Sequence, residues 1–213
     1  LLQAETDRSS SVTALSIGGE QAAEALKHAL AMGCKEAILV SDAALSQADS
    51  LSIAQTLAAA IRKIGEVDLI VFGRQAIDGD SGLVPVQTAR ILGLPIVGLA
   101  ASLSINGGTI KAERTFEEGR QQVESKLPAV VSVVKDIGEP RYPSFMGIRK
   151  AAKAQIPVWK LSDLGLAAPQ PVVRWSNVSN PPAREGTSEI ISGANAQEIA
   201  EKLADKILAE KVL

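Results

Sequence analysis

Several kinds of residue are scarce in this sequence, and each scarcity excludes a class of protein. Aromatic residues make up only 3% of the 213 positions, so Ala, Val, Ile and Leu must build the core. The single cysteine, Cys34, excludes an internal disulfide framework and a multi-cysteine metal site. No apolar run approaches the roughly 18 residues that a membrane-spanning helix needs, so we expect no membrane span.

Charge of one sign is not in excess either. Lys and Arg number 22 against 24 Asp and Glu, a formal net charge of -2, so we expect no nucleic acid or anionic membrane as partner. The opening LLQAETDRSS lacks the basic-then-apolar pattern of a signal peptide. Together with the single cysteine, these features predict a cytoplasmic protein.

What the sequence does contain is an alternation of short apolar runs with stretches of helical period. This alternation is typical of an α/β fold of the nucleotide-binding, Rossmann-like kind, with a mostly parallel sheet and flanking helices. The turn signals NGG and EEG after residue 105 predict an antiparallel hairpin. We expect an α/β domain over residues 1–155 and, over 156–213, an extended C-terminal arm and terminal helix that wrap around a partner subunit. A mobile tail is the alternative.

The stretch GRQAIDGDSG at 73–82, called the acidic loop below, follows the apolar run VDLIVF and precedes a predicted helix. Ligands of parallel sheets bind beyond the carboxyl ends of strands, and a helix N-terminus favours an anion. Gly79 and Gly82 would let backbone N–H groups approach a phosphate, while Asp78 or Asp80 would accept hydrogen bonds from ribose. The alternatives are a strand-to-helix turn capped by one of these aspartates and, with less support, a divalent metal site.

Familiar catalytic and nucleotide motifs are missing from the chain. Neither GxxxxGK[ST] nor GxGxxG occurs. His28, the only histidine, lies in a predicted helix, where a surface or packing role is expected. Cys34 has no activating neighbour beyond Lys35, so we expect a structural role for it. We therefore expect no catalytic side chain in this chain acting alone.

A second informative stretch is EPRYPSFMGIRKAAK at 139–153. It is expected to place Phe145 and Met146 in a loop bounded by Pro and Gly and followed by cations. If exposed, the two apolar side chains would form a knob for docking a protein. If they pack inward, they belong to the core, and the residue pattern leaves both interpretations open.

The stretches DLIVFGRQAIDGDSG and LPAVVSVVKDIGEPRYPSFMGIRKAAK together closely resemble the β subunit of electron transfer flavoproteins. The similarity runs from the VTALSIGG strand to the terminal helix. It implies a heterodimer that passes electrons between flavin dehydrogenases and an acceptor. The partner α subunit of this heterodimer would hold most of an FAD. The β subunit would bind AMP or, in electron-bifurcating members that oxidise NADH, the ADP part of a second FAD. The chain would then be an electron carrier subunit rather than a stand-alone enzyme.

The same resemblance implies particular binding residues. Ile17 falls where the first turn approaches the adenosine. Recognition of the dehydrogenase falls on Phe145, Met146 and Gly147, where relatives often place a Leu. The nucleotide loop falls on one continuous stretch: Gly73, Arg74, Gln75, Ala76, Ile77, Asp78, Gly79, Asp80, Ser81, Gly82, Leu83 and Val84.

Two departures from the family pattern shape the expectations. Relatives usually carry a polar Gln or Thr soon after the acidic loop, whereas this chain continues Leu83-Val84-Pro85, so phosphate would rest on backbone N–H groups and Ser81. The family's opening strand and helix are also absent. We therefore expect the sequence to be part of a longer gene product, with an exposed sheet edge.

Two rival classes share the general architecture. A universal-stress-type ATP-binding regulatory module needs a glycine-rich phosphate loop late in the chain, which residues 130–150 do not supply. An adenylating enzyme of the ATP-pyrophosphatase kind needs a turn of the form SGGxDS. The turn SIGGEQ at 16–21 lacks both the aspartate and the second serine.

Overall fold

The computed structural model describes residues 10–77, 79–174, 176–183 and 188–210. That part of the chain contains eight strands and five α-helices. The strands are β1 Thr13–Ile17, β2 Glu36–Val40, β3 Leu69–Gly73, β4 Ile96–Asn106, β5 Thr109–Phe116, β6 Gly119–Lys126, β7 Ala129–Val133 and β8 Val158–Trp159. The helices are α1 Ala22–Ala31, α2 Ser50–Ile64, α3 Leu83–Leu92, α4 Phe145–Ala152 and α5 Ala196–Ala209.

The strands form two sheets. One has the order β1-β2-β8, with parallel pairing throughout. The other has the order β3-β7-β4-β5-β6, in which β3, β7 and β4 run parallel while β4, β5 and β6 are antiparallel. The predicted α/β class with a mostly parallel sheet, flanking helices and an antiparallel hairpin is confirmed. The two hairpin turns fall at Gly107-Gly108 and Glu117-Glu118, where the turn signals predicted them.

The core is made of small aliphatic residues, as the shortage of aromatic residues required. One buried cluster joins β4, β5 and β7, and a smaller one joins α1 to β2. The first contains Val97, Ala100, Ile110, Ala112, Ala129 and Val131, and the second contains Leu26, Ala37 and Leu39. The alanine-rich face of α2 packs against α3.

The parallel strands β3, β7 and β4 present their carboxyl ends at one edge of the larger sheet. Near that edge β4 bulges at Leu99, which has a left-handed backbone with φ 61°. The Leu99 N–H donates to the Ser132 hydroxyl on β7 at 3.1 Å. Bulges next to the ends of parallel strands often adjoin functional sites, and the acidic loop leaves β3 at this same edge.

After β8 the chain is held by the carboxylates of Asp42 and Asp49. Asp42 Oδ2 accepts the Leu161 N–H at 3.2 Å. Asp49 Oδ2 accepts the N–H groups of Val172 at 2.8 Å and Val173 at 3.3 Å. These bonds fasten the beginning of the irregular arm to the α/β unit.

The second unit of the chain begins at Ser176 and contains α5. Asn195 caps this helix by accepting the Glu198 N–H at 2.9 Å. The pKa of Glu198 lies below its ordinary value because Lys202 and then the Ala194 N–H hydrogen-bond its carboxylate. No residue of α5 is buried, although apolar side chains recur along it at helical spacing. In the described part of the chain, no helix has the length and apolarity needed to cross a membrane.

Candidate nucleotide site and docking surface

The acidic loop begins at the carboxyl end of β3 and ends where α3 starts at Leu83. The loop therefore occupies the position at which ligands bind to parallel sheets. Asp78, one of its two predicted ribose ligands, lies outside the described residues. The other predicted loop residues can be placed, and those from Arg74 to Ile77 are exposed.

The first turn of α3 is open at its N-terminus. Its N-cap is Gly82, which has a left-handed backbone with φ 60° and no side chain to cap the helix. Within the described residues, no acceptor takes the N–H groups of Leu83 and Val84. Pro85, the third residue of the helix, has no N–H group. Two unpaired donors and the positive end of the helix dipole are therefore available to an anion.

Asp80 does not cap α3, contrary to the alternative left open by the sequence. Its carboxylate accepts a hydrogen bond from the Gln75 side-chain amide across the loop. Its backbone N–H donates to the Ala76 carbonyl at 3.0 Å, and its φ of 47° is left-handed. These two bonds close the loop on itself, and Asp80 precedes the N-cap of α3 by two residues.

Two glycines of the loop have open space where a side chain would begin. A Cβ atom built on Gly73 or Gly79 would meet no other atom within 4 Å, so the space over these residues is open. Gly82 differs, because its left-handed φ is what favours glycine there. A glycine-containing loop next to an uncapped helix start is the arrangement that phosphate-binding turns use.

This arrangement fits an adenine nucleotide. Phosphate oxygens would accept hydrogen bonds from the Leu83 and Val84 N–H groups, with Ser81 beside them. Asp80 would repel a phosphate placed next to it, but its carboxylate is a good acceptor for ribose hydroxyls, and Gln75 holds it in place. Charge thus assigns the Asp80 carboxylate and the N–H groups at the start of α3 to different parts of one ligand.

Ile17, the predicted adenosine contact, is half-buried at the carboxyl end of β1. The next residue, Gly18, donates its N–H to the Val40 carbonyl at 3.1 Å. A Cβ on Gly18 would lie 3.0 Å from the Ala22 Cβ, so the turn into α1 is tightly packed. β1 and β3 belong to different sheets, and within the described part of the chain no strand pairing brings Ile17 to the acidic loop.

A groove of about 810 Å³ adjoins the loop through Arg74 and runs between the β5–β6 turn and the end of β7. Its apolar lining includes Leu99 and Val133. Its charged lining residues are of both signs: Arg74, Lys135, Glu117, Glu118 and Asp136. Because three carboxylates outnumber two cations in this lining, the groove attracts an anion less than the open first turn of α3 does.

The remaining candidates for metal binding or catalysis are the acidic side chains, Cys34 and His28. In residues 10–77, 79–174, 176–183 and 188–210, no group of three or more His, Cys, Asp or Glu side chains could hold a metal ion. Burial raises the pKa of the Cys34 thiol, so little thiolate forms at neutral pH. His28 lies in the last turn of α1.

The stretch predicted to dock a dehydrogenase is helical, not a loop. Phe145, Met146 and Gly147 form the first turn of α4, because the Ser144 hydroxyl caps the helix by accepting the Gly147 N–H at 3.0 Å. Phe145 is 73% exposed and Met146 is 70% exposed, so neither packs inward. Three cations, Arg149, Lys150 and Lys153, follow on the same short segment.

A contact that the sequence did not predict holds this segment. The Arg141 guanidinium donates through Nη2 to the Met32 carbonyl at 2.6 Å, across 109 positions of sequence. Met32 is the C-cap of α1. No local sequence pattern predicts this hydrogen bond, because its acceptor is a backbone carbonyl, which every residue type has.

Comparison with known proteins gives the family of this chain. The family model described as "Electron transfer flavoprotein domain" matches residues 2–164. The chain belongs to the electron transfer flavoprotein family. An electron transfer flavoprotein subunit beta from Megasphaera elsdenii is 32% identical over 223 residues, covering 98% of this chain and 82% of the relative. One from Bacillus subtilis is 34% identical over 203 residues, with 94% and 78% covered.

A third relative is named as a subunit of a reductase complex. The "Caffeyl-CoA reductase-Etf complex subunit CarD" of Acetobacterium woodii is 37% identical over 210 residues, which cover 95% of this chain and 79% of that protein. The resemblance of the sequence to electron transfer flavoprotein β subunits is thus confirmed. The family assignment also decides against the universal-stress-type module and the adenylating enzyme.

Proposed function

We propose that this chain is the β subunit of a heterodimeric electron transfer flavoprotein that holds an adenine nucleotide in its acidic loop. The nucleotide is AMP or the ADP part of a second FAD, and a partner α subunit carries most of the first FAD. The observation that carries the proposal is the open first turn of α3 behind β3, whose two unpaired N–H groups follow Asp80 by three and four residues. In a member of this family, that arrangement is best explained by a bound nucleotide.

The residues have distinct roles in the proposal. Leu83 and Val84 bind phosphate through their N–H groups, Asp80 accepts from ribose, and Ile17 contacts the adenosine. The other predicted residues of the loop, among them Asp78, belong to the same proposed nucleotide-binding set. The flavin or flavins would supply the redox chemistry, and this chain would hold the adenine nucleotide through the backbone and side chains of the loop. It is therefore an electron carrier subunit without catalytic residues of its own.

Two further surfaces would serve protein partners. The exposed Phe145 and Met146, which we call the docking knob, would enter an apolar pocket of a flavin dehydrogenase, and the cations after them favour an acidic rim around that pocket. The arm and α5, residues 156–213, would wrap around the α subunit beyond the nucleotide-binding domain of 1–155. The exposed apolar residues Leu203 and Leu208 support this second contact. We place the heterodimer in the cytoplasm.

A second candidate function is favoured by the Acetobacterium woodii relative, which is named as part of a complex with a caffeyl-CoA reductase. In that case the site would hold a second FAD, and the complex would oxidise NADH and bifurcate its electrons. The Gly79 between the two aspartates resembles that type. The Leu83-Val84 pair in place of polar residues argues for the AMP-binding type.

The test is to purify the heterodimer, release its bound small molecules by denaturation and identify them. One FAD with one AMP supports the electron carrier, and two FAD without AMP supports the bifurcating complex. Absence of any adenine nucleotide other than one FAD would refute the proposed site.

A variant pair locates the nucleotide. Asp80→Ala removes the proposed ribose acceptor, so we expect it to lower nucleotide occupancy. Asp68→Ala makes the same change of charge at the amino end of β3, where its side chain is exposed. Occupancy should be unchanged in that control, and equal losses in both variants would contradict the assignment.

A further inference from the structure

The start of α4 lies against the end of α1 at a distance that only glycine allows. A Cβ built on Gly147 would lie 2.3 Å from the Ala31 carbonyl oxygen and 3.1 Å from the Ser144 hydroxyl. Cβ atoms essentially never come within 3.0 Å of another heavy atom, and here the nearest atom is backbone, which cannot rotate away. Any side chain at position 147 must therefore push the two helices apart.

Backbone conformation does not explain the glycine. Gly147 is a helical residue and is absent from the positive-φ glycines of the chain. Alanine is the better helix former at an ordinary position of this kind. The close approach to Ala31 is thus the feature that requires glycine here.

A second anchor precedes the docking knob in the sequence. Arg141 donates to the Met32 carbonyl at 2.6 Å, next to the Ala31 carbonyl that Gly147 approaches. Carbonyl groups at a helix C-terminus have no partner within the helix, and a cation there interacts favourably with the helix dipole. Phe145 and Met146 stand between these two contacts, and Ser144 caps the turn that carries them.

We propose that Gly147 is a positioning residue for partner docking: its contact with Ala31 fixes the docking knob in the orientation that a flavin dehydrogenase binds. A knob held in place before binding loses less conformational freedom on association than a mobile one. The inference rests on the proposed docking role of Phe145. It adds that the end of α1, which is remote in sequence, holds the docking knob in position.

The experiment uses the heterodimer as the varied electron acceptor for the flavin dehydrogenase that reduces the wild-type complex. For Gly147→Ala we expect KM to rise at least about tenfold with kcat within about twofold, because the knob is displaced while the flavins are untouched. Nucleotide content should match wild type. The control is Gly19→Ala, since a Cβ on Gly19 would meet nothing within 4 Å and no positive φ is required there.

Two further variants separate the possible failures. Phe145→Ala should raise KM like Gly147→Ala, and if it leaves KM unchanged, the proposed docking role fails and the inference with it. If Phe145→Ala raises KM but Gly147→Ala does not, only the inference is overturned. A parallel fall in kcat and nucleotide content in Gly147→Ala would also overturn it, because the damage would then be general. Arg141→Ala removes the second anchor without a clash, so it should raise KM even if Gly147→Ala folds poorly, and an unchanged KM would count against the inference.

Discussion

Asp49 has two structural tasks that one substitution can separate. Its Oδ1 caps α2 by accepting the Ser52 N–H at 2.9 Å and the Ser52 hydroxyl at 2.6 Å. Its Oδ2 accepts the two arm N–H groups, of Val172 at 2.8 Å and Val173 at 3.3 Å. Asp49→Ala abolishes both tasks. Asp49→Asn keeps an oxygen for the cap but can present an amide NH2, a donor, to the arm.

The expected losses follow from these contacts. Loss of an N-cap costs about 1 kcal/mol, and loss of the shorter hydrogen bond to the arm costs about 1 kcal/mol more. We therefore expect Asp49→Ala to lower the free energy of unfolding by about 2 kcal/mol, and Asp49→Asn by about half as much. Urea unfolding measures these differences.

Amide hydrogen exchange measures the two hydrogen bonds of the arm directly. The Val172 and Val173 amides should exchange faster in both variants, while the first turn of α2 should lose protection only in Asp49→Ala. If Asp49→Asn protects the two arm amides as well as wild type does, the carboxylate does not hold the arm and the reasoning is wrong.

The same carboxylate gives a pH dependence with a definite sign. Hydrogen bonds from the Ser52 hydroxyl and N–H, and then from the arm, hold the pKa of Asp49 well below its ordinary value. A group whose pKa is lowered by folding stabilises the protein above its unfolded pKa, which is about 4. The stability difference between wild type and Asp49→Asn should therefore shrink as the pH falls below about 4. A difference that stays constant down to the acid transition would contradict this assignment.

Three other predictions concern stability. Thr88 is fully buried and its hydroxyl has no partner in the described residues, so Thr88→Val should stabilise the fold by about 1 kcal/mol. Thr56→Val is the matched control, since the Thr56 hydroxyl donates to the Ser52 carbonyl at 2.8 Å. The denaturant midpoint should rise for Thr88→Val and fall for Thr56→Val. Gly82→Ala should cost about 1 kcal/mol because of the left-handed backbone, and it should also lower nucleotide occupancy. Ser144→Ala should lower the stability of α4 by about 1 kcal/mol, seen as faster amide exchange confined to that helix.

Local patterns predicted most of the architecture. The turn signals located both hairpin turns, and Gly65 and Gly93 end α2 and α3 with positive φ values. The recognition segment was harder. Pro143 and Gly147 suggested a loop, but the Ser144 cap starts a helix two residues later than Pro143. A serine caps a helix only when its backbone has a suitable conformation. The neighbouring prolines suggested a loop, so the sequence did not show that Ser144 begins a helix.

The sequence by itself determined the fold class, the aliphatic core and the position of the acidic loop after a strand, because apolar periodicity and turn residues act locally. It could not determine whether an aspartate of the loop caps α3 or faces a ligand. Only the tertiary structure decided that Asp80 accepts from Gln75 and leaves the helix start open. It also decided that Gly147 must be glycine, because the atom that excludes a side chain belongs to Ala31, more than a hundred residues away. Contacts between segments distant in the chain depend on how the helices pack, which no local pattern records.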